Sequence, residues 1–156
     1  MNGKASTCAN PLCFAVSAAV VALSAACTPT RSSVELAVHS TPATFEGRAG
    51  RRMVTSNFEL LSDLRDAEFE NALPLFLEAA FEQFALTAPP QADRARRLVI
   101  YLFNDRAEWV QFASQRFPER SGVYAKIRSG GFTEETVSAV FFTNRAATLA
   151  TLAHEA

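Results

Sequence analysis

Two adjacent side chains near the carboxyl end, His154 and Glu155 in the string Thr151-Leu152-Ala153-His154-Glu155-Ala156, carry the most specific chemistry in the sequence. In H-E-x-x-H, two imidazoles one helical turn apart meet one metal ion, and the carboxylate beside the first polarises a bound water. That chemistry needs a helix. Residues 145–156 contain Ala, Leu and Thr without Gly or Pro, and Asn144 stands before them as a candidate cap, so the sequence predicts a helix there. The second imidazole belongs four positions after His154, at position 158.

The third chemical position is Cys27. Residues 12–26 form an uncharged, Ala/Val-rich run, and Lys4 is the only charge before them, which is the pattern of an export signal. At about fifteen residues the run is shorter than the roughly 18 that a membrane-spanning helix needs. Leu23, Ser24, Ala25, Ala26 and Cys27 resemble a bacterial lipobox, with Ser24 where Leu is usual and Leu23 one place early. Lipidation of Cys27 is the expectation, and plain cleavage after Ala26 the alternative. Cys8 and Cys13 leave with the signal under both readings, so one Cys remains and neither a disulfide framework nor a thiolate metal cluster is expected. His39 falls in the linker and is expected to take no part in chemistry.

The elements that must position these residues follow from hydrophobic spacing. Residues 28–44 are rich in Thr, Ser and Pro and read as a tether, with residues 34–39 as a short strand candidate. Residues 51–61 read as extended, with a break at Ser56-Asn57. Phe69, Leu73, Phe76, Ala80 and Phe84 recur at helical spacing; Pro74 kinks that helix or begins a new one, and Pro89-Pro90 ends it. Residues 98–103 are apolar or aromatic throughout, as in a strand covered on both faces. Asn104 or Asp105 caps a helix carrying Trp109, Phe112, Ala113 and Phe117 inward, and Pro118 stops it. Trp109 is expected in the core. Residues 122–127 and 137–143 read as an antiparallel strand pair around Ser129-Gly130-Gly131.

The order strand, helix, strand, helix, two strands, helix gives an α+β fold class with a mixed sheet and flanking helices. The division is 1–26 signal, 27–44 tether and 45–156 domain. At 156 residues one domain is the working assumption, and 49% hydrophobic residues exclude wholesale disorder. Fifteen basic and sixteen acidic residues lose only Lys4 with the signal, leaving a net charge of −2 and no electrostatic footprint for nucleic acid. The clusters Arg48, Arg51, Arg52 and Arg94, Arg96, Arg97 read as solvated loop or edge residues, with contact to anionic phospholipid as the minority reading.

From residue 53 onward the chain resembles the bacterial peptidase-MA-like zinc metallopeptidases of the gluzincin clan. The resemblance rests on the helix with Leu77-Glu78, the strand followed by Asn104-Asp105-Arg106, the Ser121-Gly122-Val123-Tyr124 segment, the strand 139–143 and the closing His154-Glu155. It implies the amino-terminal part of a zincin-like domain ending in the active-site helix, with His154 as a zinc ligand, Glu155 as the general base, and residues 139–143 as the edge holding an extended peptide substrate. The family's second His and its downstream Glu ligand have no positions among the 156 residues. Zinc is therefore expected in the complete family form and not stably in this chain, which is expected to be inactive and a shortened gene product. The localisation that follows is the bacterial cell envelope, with a membrane as partner through the lipid. A non-catalytic binding or scaffolding lipoprotein is the alternative function.

Overall fold

The computed structural model describes residues 36–88 and 96–155. The expected export signal, Cys27, residues 28–35 of the expected tether, Arg94 and the expected helix stop at Pro89-Pro90 lie outside the described residues. Six strands form one sheet: β1 (His39–Phe45), β2 (Arg48–Val54), β3 (Phe58–Ser62), β4 (Leu98–Phe103), β5 (Gly131–Glu134) and β6 (Val137–Phe141). Their spatial order is β1-β2-β3-β4-β6-β5. β3, β4 and β6 run parallel, while β2 and β5 are antiparallel to their neighbours. The fold is α+β, with a mixed sheet and flanking helices.

β4 is apolar at every position because both of its faces are covered. Ile100 and Leu102 point into one core, with Leu60, Leu73, Leu77, Val140 and Leu152. Tyr101 and Phe103 face the other, with Phe45, Trp109, Phe112 and Phe141. The first core is roofed by helices α1 (Ala67–Thr87) and α4 (Arg145–Glu155), the second by α2 (Arg106–Arg116) and the short α3 (Ser121–Tyr124). Trp109 is fully buried, and its indole N–H donates to the Ala139 carbonyl at 2.9 Å, so its one polar atom is satisfied.

Helix ends follow their side chains. Asp66 caps α1 by accepting from the Phe69 N–H, with Glu68 and Glu70 in the first turn where the helix dipole favours acids. Asp105, rather than Asn104, caps α2, and Asn144 Oδ1 accepts from the Ala147 N–H at the start of α4. The α1 helix runs unbroken through Pro74, so no restart occurs there. Its buried face holds Phe69, Leu73 and Leu77, whereas Phe84, expected on that stripe, is 51% exposed because α1 outlasts the sheet it covers.

Several expectations are corrected. The tether does not reach residue 44: β1 begins at His39 and pairs residue for residue with β2, and residues 36–38 are not a strand. This strand looked like a linker because all but its last two inward positions are exposed, so it is polar. A two-residue turn, Glu46 and Gly47 with φ of 50° and 75°, joins it to β2 and matches the strands' twist. Residues 122–127 are not a strand. Pro118 opens a 3₁₀ turn (Pro118–Arg120) leading into α3, and Tyr124 and Ile127 pack inward three residues apart while Val123 is exposed, a helical rather than an alternating spacing. The antiparallel partner of β6 is β5. Residues 139–143 are consequently no edge: β6 lies between β4 and β5, four of its five residues are buried, and β5 is the outer strand.

One glycine is required by packing. A Cβ on Gly50 would lie 2.3 Å from the Ser62 carbonyl oxygen and 2.8 Å from the Phe45 ring, so β2 can approach β3 there only without a side chain.

Candidate functional site

Because α4 runs back from the end of β6, its last turn lies beside the start of β6 and the finish of β5. His154 is exposed, and its side chain makes no hydrogen bond or ion pair among the described residues. Glu155 is half-buried. Its Oε2 lies 2.7 Å and its backbone oxygen 3.0 Å from Thr133 Oγ1 on β5, which is in turn 3.2 Å from the buried Ser138 Oγ. The Thr133 hydroxyl has one proton, so it donates to one Glu155 oxygen at a time, and the Ser138 hydroxyl can donate to it. The outermost strand thus holds the carboxylate that the sequence singled out.

This arrangement does not amount to a zinc site. Catalytic zinc takes three protein ligands and a water. Among the described residues no three His, Cys, Asp or Glu side chains converge, and the chain's other histidine, His39, opens β1 at the far side of the sheet. Among the described residues the donors there are one imidazole beside one hydrogen-bonded carboxylate.

A cleft of about 840 Å³ opens at the same end of the sheet, where β3 and β4 begin. Asn57, Phe58, Phe81, Arg96, Leu98 and Thr136 are among its walls, and neither His154 nor Glu155 lines it. Asn57 in its wall is held by Glu78, a buried α1 carboxylate that accepts from the Asn57 N–H at 2.8 Å and from Asn57 Nδ2 at 2.6 Å. Arg97 reinforces the turn by donating from Nε to the Thr55 carbonyl at 2.8 Å.

The opposite end carries most of the ion pairs among the described residues. Arg48 Nε lies 3.2 Å from Asp63 Oδ2 and 3.7 Å from Glu108 Oε2, with its guanidinium over the Phe103 ring at 5.0 Å. Asp63 also accepts from the Asn104 N–H at 2.6 Å. Burial pushes the Glu108 carboxyl above its usual range against the pull of Arg48, and neighbouring Asp63 adds to the rise. Arg145 forks onto Asp66 at 2.8 and 2.9 Å and reaches Glu68 at 2.8 Å. The bond from Arg145, with that from the Phe69 N–H, holds Asp66 below the usual carboxylate range. The first arginine cluster therefore lies on an inner strand rather than a loop or edge, and of its three side chains Arg52 is the one that stays exposed. Arg48 is mostly covered, Arg51 pairs with the buried Glu70 at 2.8 Å, and Arg52 pairs with Glu59 at 2.7 Å, because β2 alternates these side chains over both faces of a charged neighbourhood.

Comparison of the chain with models of protein families, with characterised proteins and with solved structures yields no match.

Proposed function

We propose that the chain is an exported protein held to a membrane of the bacterial cell envelope through lipid on Cys27, and that its domain descends from the peptidase-MA-like zinc metallopeptidases. Over these 156 residues it keeps His154 in the ligand position and Glu155 in the base position, and the described residues bring no third ligand to them, so stable zinc and peptide hydrolysis belong to the complete form. The observation that carries the reading is the pairing of His154-Glu155, in the last turn of a helix packed on the sheet, with an antiparallel outer strand whose Thr133 bonds to Glu155. An extended peptide substrate in the complete form would lie along such a strand, which makes β5 rather than β6 the strand to test.

Elemental analysis and a peptidase assay test the lineage. The 156-residue chain should bind zinc well below one ion per molecule and leave casein uncut. A longer chain with His at position 158 and the residues that follow it should bind one zinc, and Glu155→Gln in that longer chain should keep the metal and lose turnover because no ligand is removed. Tightly held zinc in the 156-residue chain, or turnover surviving Glu155→Gln, would refute the roles of His154 and Glu155. Labelling with a fatty-acid analogue tests the anchor; label persisting after Cys27→Ala would rule it out. A stop codon directly after Ala156 in independent reads would favour the second reading, a binding or scaffolding lipoprotein.

A further inference from the structure

We infer that the end of the domain at which the chain arrives from Cys27 is a docking surface for an anionic bilayer, a contact beyond the lipid itself; the inference rests on the anchored reading for its orientation. Five large apolar side chains are exposed among the described residues, and three of them share this end. Val38, 40% exposed, immediately precedes β1, whose first residue His39 pairs with Val54 just before the β2–β3 turn. Phe84 and Leu86, 51% and 78% exposed, occupy the last turn of α1. That turn is held at the same end because Phe81 packs edge-on against Phe58, the first residue of β3, at 6.0 Å. Arg96 and Arg97 complete the surface, since the next residue, Leu98, pairs with Phe58. Both guanidinium residues are exposed. Leu75 and Val123 lie elsewhere, at the middle of α1 and on α3.

Two observations favour a bilayer over a protein partner. Eleven residues separate Cys27 from His39, a reach of about 40 Å at full extension, so the lipid confines the domain close to the membrane and the strand it leads into enters from this end. Confinement of that kind lets a weak second contact form that would be negligible in free solution. The chemistry also fits. Apolar tips on a helix end, bordered by guanidinium groups, suit the boundary between acyl chains and phosphate headgroups. The exposed acids Glu82 and Glu135 lie near the same end and limit the electrostatic share, so burial of Phe84 and Leu86 carries most of the contact.

The mature chain's only cysteine is acylated in this reading, so one introduced thiol can be labelled uniquely. The test places an environment-sensitive fluorophore at Leu86→Cys or, as reference, at Ala107→Cys, the exposed start of α2 at the far end of the sheet. The lipidated protein is reconstituted in vesicles of phosphatidylethanolamine and phosphatidylglycerol containing nitroxide-labelled lipid. Quenching at position 86 should exceed that at 107 by roughly threefold or more, and should fall when Phe84→Ser or Arg96→Glu is added. Equal, water-like signals from the two positions on an anchored protein would overturn docking while leaving the anchor intact. Undiminished quenching with phosphatidylcholine alone would overturn the part assigned to Arg96. Mass spectrometry of the mature chain reads the anchor separately. If no lipid is found, flotation with phosphatidylglycerol vesicles that Leu86→Ser abolishes would still support the surface, and no flotation would refute it.

Discussion

The two ends of the sheet are built by different means. Where β3 and β4 finish, backbone and side chains are tied by charge: Asp63 joins Arg48 to the Asn104 N–H, and Arg145 gathers Asp66 and Glu68 across α1 and α4. Where they start, one carboxylate, Glu78, and one guanidinium, Arg97, secure the turn, beside an open cleft and exposed apolar tips. His154 and Glu155 sit at this second end. The contrast assigns fold maintenance to the charged end and leaves the other free to meet something.

The sharpest way to break that division is to remove the central carboxylate at each end and compare. Asp63→Ala strips a 7%-exposed side chain of its bond to the backbone and leaves Arg48 largely covered without its nearest partner, which should cost roughly 3 kcal/mol in urea unfolding. Glu78→Ala frees the Asn57 amide and side chain and should cost about 2 kcal/mol. A larger loss for Glu78→Ala than for Asp63→Ala would invert the assignment.

Acid titration sharpens it further, because two carboxyls of the charged end move oppositely. Asp66 is depressed by Arg145 and the Phe69 N–H, so its contribution is present above the unfolded-state value and is lost as pH falls through the lower folded value. Glu108 is raised by burial, so its ionisation opposes folding above the raised value, and the penalty disappears as pH falls below the unfolded-state value. Asp66→Asn should flatten the acid loss of stability, and Glu108→Gln should remove the component that improves on acidification. A pH–stability curve unchanged by both substitutions would contradict the geometry. The smallest effect belongs to the other end: Leu86→Ser, on a side chain that packs against little, should shift stability by less than about 0.5 kcal/mol, and a clearly larger loss would mean that Leu86 serves the fold.

What the sequence disclosed depended on how locally each element is specified. β4 was legible because six consecutive apolar residues have only one comfortable place, and α2 because Asp105, Trp109 and Phe112 declare a cap and a face within a short stretch. β1 was hidden by its own exposure, since an outer strand of Ser, Thr and Pro has the composition of a linker. The stretch after Pro118 misled because Val123 and Tyr124 have strand-forming side chains, while the decisive three-residue step from Tyr124 to Ile127 appears only once Trp109 and Phe132 supply the surface beneath. At the candidate site, His154 and Glu155 were visible as a motif, but Thr133 was not. It lies 22 residues away, and nothing in its neighbours signals a bond that only the β5–β6 pairing creates.

Trp109 gives the molecule a built-in optical reporter. It is the chain's only tryptophan, sits in the centre of the aromatic core, and has Phe132 and Phe141 at 5.7 and 5.0 Å. Its indole is shielded from water and bonded to the strand that leads into α4, so the ultraviolet emission of the native protein comes from a single dry environment at the junction of α2, β5 and β6. Any opening of that junction admits water to the ring and moves the emission to longer wavelength, whereas events confined to the exposed end of α1 leave the colour unchanged.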